Sequence, residues 1–200
     1  GLGFLPAAIR EFNAEHPNVT ITAEVNMSAR VEETVAAQHV DFGIGAFPFR
    51  RTGLETEMFC RAPEYLVVPT GHALAGKAYV RPKDLADMPF IVLPRDQANR
   101  VVADQVFERA GVPRRIVVET QANAVICDLV RHGVGVGLVD PFTAADYAGR
   151  GIAAVPFRPR IEFQVGILYP THRPLSRVAR VFLAILRRRR NALLRAGLPR

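Results

Sequence analysis

Glu119–Thr143 reads ETQANAVICDLVRHGVGVGLVDPFT, and its reading decides the fold. It parses as the end of a strand, a helix, a glycine-punctuated turn, a second strand and an Asp-Pro step. The run Gly133-Val134-Gly135-Val136-Gly137 looks at first like part of a dinucleotide fingerprint. Its context is inverted: these glycines follow a helix and lead into a strand, whereas the fingerprint follows a strand and opens a helix. They therefore read as a helix C-cap at Gly133 and as close helix–strand packing at Gly135 and Gly137.

Working outward, the same alternation recurs on both sides. Upstream, Phe90–Leu93 reads as a strand. A helix then runs from a cap at Asp96 or Asn99 to about Ala110, with Val102, Val106 and Ala110 on its inner face, followed by a strand over Arg115–Thr120. Nearer the start, Leu5–Glu15 is a helix that stops before Pro17, and Val19–Val25 alternates as a half-buried strand. Ser28 reads as the N-cap of a further helix, and Phe42–Ala46 as a short strand. Leu54–Arg61, Tyr65–Pro69, Ile152–Pro156 and Glu162–Leu168 supply more strands, and Pro82–Asp87 and Pro141–Tyr147 short helices. A last helix over Leu175–Leu194 buries Val178, Val181, Phe182, Ile185 and Leu186. Such alternation predicts an α/β protein of mostly parallel sheets flanked by helices. With no flexible linker in sight, the expected form is two lobes joined by crossing strands, Tyr65–Pro69 and Glu162–Leu168, with a ligand cleft between them. The chain is expected to lack a first strand upstream of Gly1-Leu2-Gly3.

Composition narrows the function. The 200 residues hold no uninterrupted apolar run of membrane-spanning length, so no membrane partner is expected. The net charge of +7 concentrates at the end, where Arg187–Arg190 is a run of four arginines. That run reads as the solvated face of the last helix; contact with nucleic acid or an acidic surface is the alternative. Cys60 and Cys127 form no C-x-x-C, and the five histidines show no metal spacing, so neither a metal nor a cofactor is expected. Cys127 falls on an apolar helical face and reads as a small buried hydrophobe. No nucleophile elbow, P-loop or singled-out acid–base pair stands in the sequence, so no residue is assigned a catalytic role. Binding is favoured over catalysis.

The polar candidates lie at strand ends and helix starts, where α/β sheets meet their ligands. Ser28 follows the Val19–Val25 strand, and Thr120 and Gln121 hold the matching place in the second repeat. Asp140 and Phe142 follow the strand that ends at Val139; Asp140 reads either as a cap of the Pro141 helix or as a ligand group. Arg95, in the loop after the Phe90–Leu93 strand, could pair with a ligand carboxylate.

These pieces together resemble the effector-sensing domain of the LysR-type transcriptional regulators. The resemblance rests on GLGFLPAAIREF (Gly1–Phe12), VAAQHVDFGIG (Val35–Gly45), VVPTGHAL (Val67–Leu74) and LVRHGVGVGLV (Leu129–Val139), in that order and spacing. VDPFTA (Val139–Ala144) looks like the branch that senses lysine-related amino acids or opines. The resemblance implies the two-lobe fold of type 2 periplasmic binding proteins, with residues 1–66 and 165–200 in lobe I and 67–164 in lobe II. It implies a small amino-acid-like or opine-like effector in the inter-lobe cleft and homodimers or homotetramers. It also implies a cytoplasmic location and DNA binding through an N-terminal winged helix-turn-helix outside this sequence. An effector would then act by shifting the angle between the lobes. Ser28, Thr120 and Gln121 match family effector contacts; Arg95, Asp140 and Phe142 rest on the strand-end argument alone. A transporter's solute-binding protein of the same fold is the alternative.

Overall fold

The computed structural model describes residues 3–196. The chain divides into two compact units, one built from Phe4–Arg61 and Gln164–Ala196, the other centred on Ala62–Phe163. We call them the terminal and the central unit.

The central unit carries a five-stranded sheet in the order β5-β4-β6-β3-β7. Its strands are β3 (Tyr65–Pro69), β4 (Pro89–Val92), β5 (Arg115–Glu119), β6 (Val136–Val139) and β7 (Ile152–Pro156). Here β4 runs parallel to β5 and β6, because α3 (Ala98–Arg109) and α4 (Asn123–Arg131) cross over between them. β3, however, is antiparallel to both β6 and β7. The sheet is therefore mixed, a correction to the mostly parallel one that alternation alone suggested. Strand pleating sends Leu66, Val68, Phe90, Val92, Val136 and Leu138 to a core on the α3 side. It sends Val67, Ile91 and Val139 to a second core with Ile126, Cys127 and Val130 of α4.

The inner face of α3 is turned from the expected one. Arg100, Ala103 and Phe107 point inward, while Val102 is 41% exposed. The aromatic anchor decides this: Phe107 packs against both Phe90 and Phe157, at 5.5 and 5.8 Å between ring centroids. One Phe buries more apolar area than one Val, so the helix rotates toward it.

The terminal unit holds a three-stranded sheet, order β1-β8-β2, from β1 (Gly43–Ala46), β2 (Leu54–Pro63) and β8 (Glu162–Pro170). β1 and β8 pair antiparallel, with Gly43 opposite Leu168. Helix α1 (Leu5–Glu15) packs against α6 (Arg177–Ala196) through Phe12 and Phe182, in an edge-to-face contact at 5.3 Å. Along α6 the buried residues are Ala179, Phe182, Leu183, Ile185 and Leu186, whereas Val178 is 37% exposed. The chain leaves this unit within β2 and returns within β8. β8 is the crossing the sequence suggested; the other crossing is β2, not the β3 segment Tyr65–Pro69.

One local expectation fails and another holds only in part. Val19–Val25 forms no strand among the described residues. Alternation supplies a face, but a strand exists only against a hydrogen-bonded neighbour, and no described strand lies alongside this segment. The arginine run is only in part the solvated face expected: Arg188 is exposed, but the run is also tied to the rest of its unit. Arg187 makes a two-pronged contact with Glu57 (2.7 and 3.1 Å), and Arg188 and Arg189 both reach Glu11. Arg190 donates to the Phe59 carbonyl and lies 4.9 Å over the Phe59 ring.

Candidate functional site

The parallel strands β4, β5 and β6 end at the same edge of the central sheet, because parallel strands share their direction. Four sequence-stretches deliver polar residues there: the β4–α3 loop, Thr120–Asn123, Asp140 and, one residue before β3, Glu64.

Asp140 is the fixed point. It is 2% exposed and caps α5 (Pro141–Tyr147), its Oδ1 accepting from the Phe142 and Thr143 backbone N–H groups, both at 2.9 Å. Its Oδ2 accepts from the Asn123 amide at 2.7 Å and from the Thr143 hydroxyl at 2.5 Å. Of the two readings open in the sequence, the cap is realised, with Pro141 at the first helical position. A carboxylate accepting four hydrogen bonds is held rigidly and offers a ligand little unsatisfied capacity. Phe142 is corrected more sharply. At 1% exposed, its ring is a core group packed edge-to-face on Phe163 at 6.0 Å and presents no surface at this edge.

Thr120 is half-buried and Gln121 exposed. The Thr120 N–H continues the ladder, donating to the Val92 carbonyl at 3.0 Å, which fixes where β5 ends. Both side chains lie just before α4, whose first residue is Asn123. Arg95 is exposed in the β4–α3 loop. The structure thus brings Arg95, Thr120, Gln121 and Asp140 to the carboxyl ends of three neighbouring strands. Ser28 belongs to the terminal unit. It is the first helical residue of α2 (Ser28–Ala36) rather than its cap, which is Met27. Its hydroxyl accepts from the Ala46 N–H at 2.9 Å and so ties α2 to the end of β1.

Three residues were missed by sequence reasoning. Glu64 is 3% exposed and accepts from the Asn99 amide in the first turn of α3. Arg100, 4% exposed, donates to Asp104 (2.7 Å), the Leu93 carbonyl (2.6 Å) and Glu119 (3.2 Å). Arg114, on the way into β5, pairs with the same Asp104 and lies over the Phe107 ring at 4.7 Å. Burial, with Arg100 nearby, lowers the Arg114 guanidinium to about 10. The one available signal was Glu64 itself, an acid at the head of the apolar run Tyr65–Val68. The Cys127 thiol is pushed up to about 12, chiefly by burial, and behaves as the inert apolar group its helical position suggested. Among the described residues no group of His, Cys, Asp and Glu is placed to hold a metal ion.

The glycines of the organising stretch have structural work. Gly133 takes a φ of +75° after α4, a conformation glycine adopts without strain. A Cβ on Gly137 would run into Ile126 of α4, the expected helix–strand approach. A Cβ on Gly135 would instead meet the Pro89 carbonyl, so its packing is strand against strand.

A two-unit α/β chain with polar groups gathered at parallel strand ends belongs to the class of small-molecule-binding domains. The chain matches the family model "LysR substrate binding domain" over residues 1–191, and it belongs to that family. It is 34% identical over 197 residues to the transcriptional activator protein LysR of Escherichia coli K12, covering 98% of this chain and 61% of that protein. It is 32% identical over 185 residues to the regulatory protein NocR of Agrobacterium tumefaciens T37, covering 92% and 62%. The chain thus spans about three fifths of the length of these relatives. In fold it is similar to the BenM effector binding domain, solved with its effector benzoate: TM-score 0.74, 18% identity, covering 100% of this chain and 90% of that one. Among the described residues no helix is long and apolar enough to cross a membrane. The family does not favour the transporter reading.

Proposed function

We propose that this chain is the effector-sensing part of a cytoplasmic LysR-type transcriptional regulator, and that it binds a small amino-acid-like or opine-like molecule rather than turning one over. The observation that carries this reading is the gathering of Arg95, Thr120 and Gln121 beside Asp140 at the ends of β4, β5 and β6. The exposed Arg95 guanidinium suits a carboxylate, and Thr120 and Gln121 offer both donors and acceptors to an amine or amide. Asp140 serves by holding Asn123 and the start of α5 in place. In the terminal unit Ser28 is the matching polar group, with its hydroxyl hydrogen still available to donate. The lysine- and opine-sensing branch is favoured by VDPFTA at 139–144 and by the likeness to LysR and NocR. DNA binding would reside in a segment outside this sequence, and the regulator would work as a homodimer or homotetramer. The effector would act only through its different affinity for the domain's alternative conformations.

A thermal-shift screen of amino acids, opines, aromatic acids and sugar acids tests this. Amino-acid-like or opine-like compounds should raise the melting temperature. A rise produced by aromatic or sugar acids alone would overturn the ligand class.

A further inference from the structure

The edge that carries Asp140 holds a second buried acid. Glu64 lies between β2 and β3, its N–H donating to the Ile161 carbonyl at 2.8 Å. The antiparallel register sets Tyr65 opposite Val139 as the last pair of the ladder, so Glu64 and Asp140 both flank that pair at the same edge of the sheet. The two carboxyls are unequally served. Asp140 accepts four hydrogen bonds; Glu64 accepts one, from the neutral Asn99 amide.

The charged groups around Glu64 do not neutralise it. Arg100 and Arg114 line the same small cavity, about 20 Å³, with Asn99, Leu93 and Leu138. Arg100 spends its donors on Asp104, Glu119 and the Leu93 carbonyl, and Arg114 is held by Asp104 and the Phe90 and Phe107 rings. β4 contributes only Phe90, Ile91 and Val92. Two neighbouring buried carboxyls cannot both ionise cheaply, and the proton stays on the one with fewer donors.

We propose that Glu64 and Asp140 form a proton-holding pair at this edge, in which the poorly served Glu64 carboxyl, and not the fully hydrogen-bonded Asp140, keeps the shared proton. Burial first, and the Asp140 charge in addition, push the Glu64 carboxyl up to about 7 against the pull of the Asn99 hydrogen bond. The pair sits at the edge assigned above to the effector. One consequence rests on that assignment: a positively charged effector nitrogen docked there favours the doubly charged pair and expels the proton.

Carboxyl carbon NMR of the labelled domain across pH 4 to 9 tests the pair without any ligand. One glutamate resonance, lost in Glu64→Gln, should titrate near pH 7. Gln is isosteric with the protonated acid and still accepts from Asn99, so the variant folds where that form prevails. The Asp140 resonance of the wild type should show a secondary inflection at the same pH, absent in Glu64→Gln. Asp140→Asn should lower the Glu64 midpoint. Titration of every glutamate in the ordinary range of about 4 to 5 would overturn the proposal. So would a Glu64 midpoint near 7 with no echo at Asp140, since burial alone would then explain it. Excess L-lysine and L-arginine serve as cationic probes. A probe that binds this edge and leaves the midpoint unmoved overturns the linkage. If no amino acid or opine binds at all, the proposed function fails while the ligand-free titration still decides the pair.

Discussion

At the scale of single residues, two buried acids set the behaviour of the central unit. The folded midpoint of Glu64, about 7, lies above its ordinary 4.5. Between those values the folded state keeps a proton that the unfolded chain has lost. Its contribution is therefore complete below about pH 4.5, falls as pH rises and levels off above about 7. The shift is worth on the order of 3 kcal/mol. Denaturant titrations at several pH values should show wild type losing stability relative to Glu64→Gln across that window; parallel curves would refute it. Asp140 acts by geometry. Asp140→Ala strands two backbone N–H groups, the Asn123 amide and the Thr143 hydroxyl. Loss of a cap together with buried donors left unpaired should cost about 3 kcal/mol, read from the urea midpoint.

At the scale of elements, the α4–β6 approach is a tight joint in the organising stretch. Gly137 lets the strand lie directly under Ile126, which is fully buried. Gly137→Ala places a methyl where the Ile126 side chain already sits, with the Ile91 carbonyl at 3.0 Å behind it. The expected cost is about 1–3 kcal/mol by overpacking. Gly53, with a φ of +80° and open space around it, is the contrast: alanine there should cost about 1 kcal/mol from backbone strain alone. Equal losses at the two sites in chemical denaturation would show that Gly137 is not a packing point. The arginine run is an element-level lesson too. Four consecutive cations are benign because Glu11 and Glu57, far away in sequence, come to meet three of them and the Phe59 carbonyl and ring take the fourth.

At the scale of the whole molecule, function is a linkage between ligand and stability. A ligand at 100 times its dissociation constant should add about 2.7 kcal/mol. For a chain of this size that is a rise of roughly 5–10 °C. Gln121 is exposed and has no structural partner among the described residues, so Gln121→Ala should leave the ligand-free melting temperature unchanged and shrink the ligand-induced rise. A full rise in the variant would remove Gln121 from the site.

Periodicity and punctuation already placed α1, β3, α5 and β7 at their observed bounds, since local patterning and turn residues decide such elements. The same is true of the glycine C-cap and of the polar strand ends at Thr120, Gln121 and Asp140, which local rules locate. The family resemblance was also legible, because it lies in the order of short motifs. Long-range pairing decided the rest. β3 runs against its neighbours, Val19–Val25 finds no described strand to pair with, and Phe107 turns α3 about its axis. That Glu64 and Asp140, 76 positions apart, leave the sheet at one edge depends on the register of β3 against β6. No local pattern encodes such a placement; only the folded sheet, by hydrogen-bonding one strand to another, brings the two carboxyls to one edge.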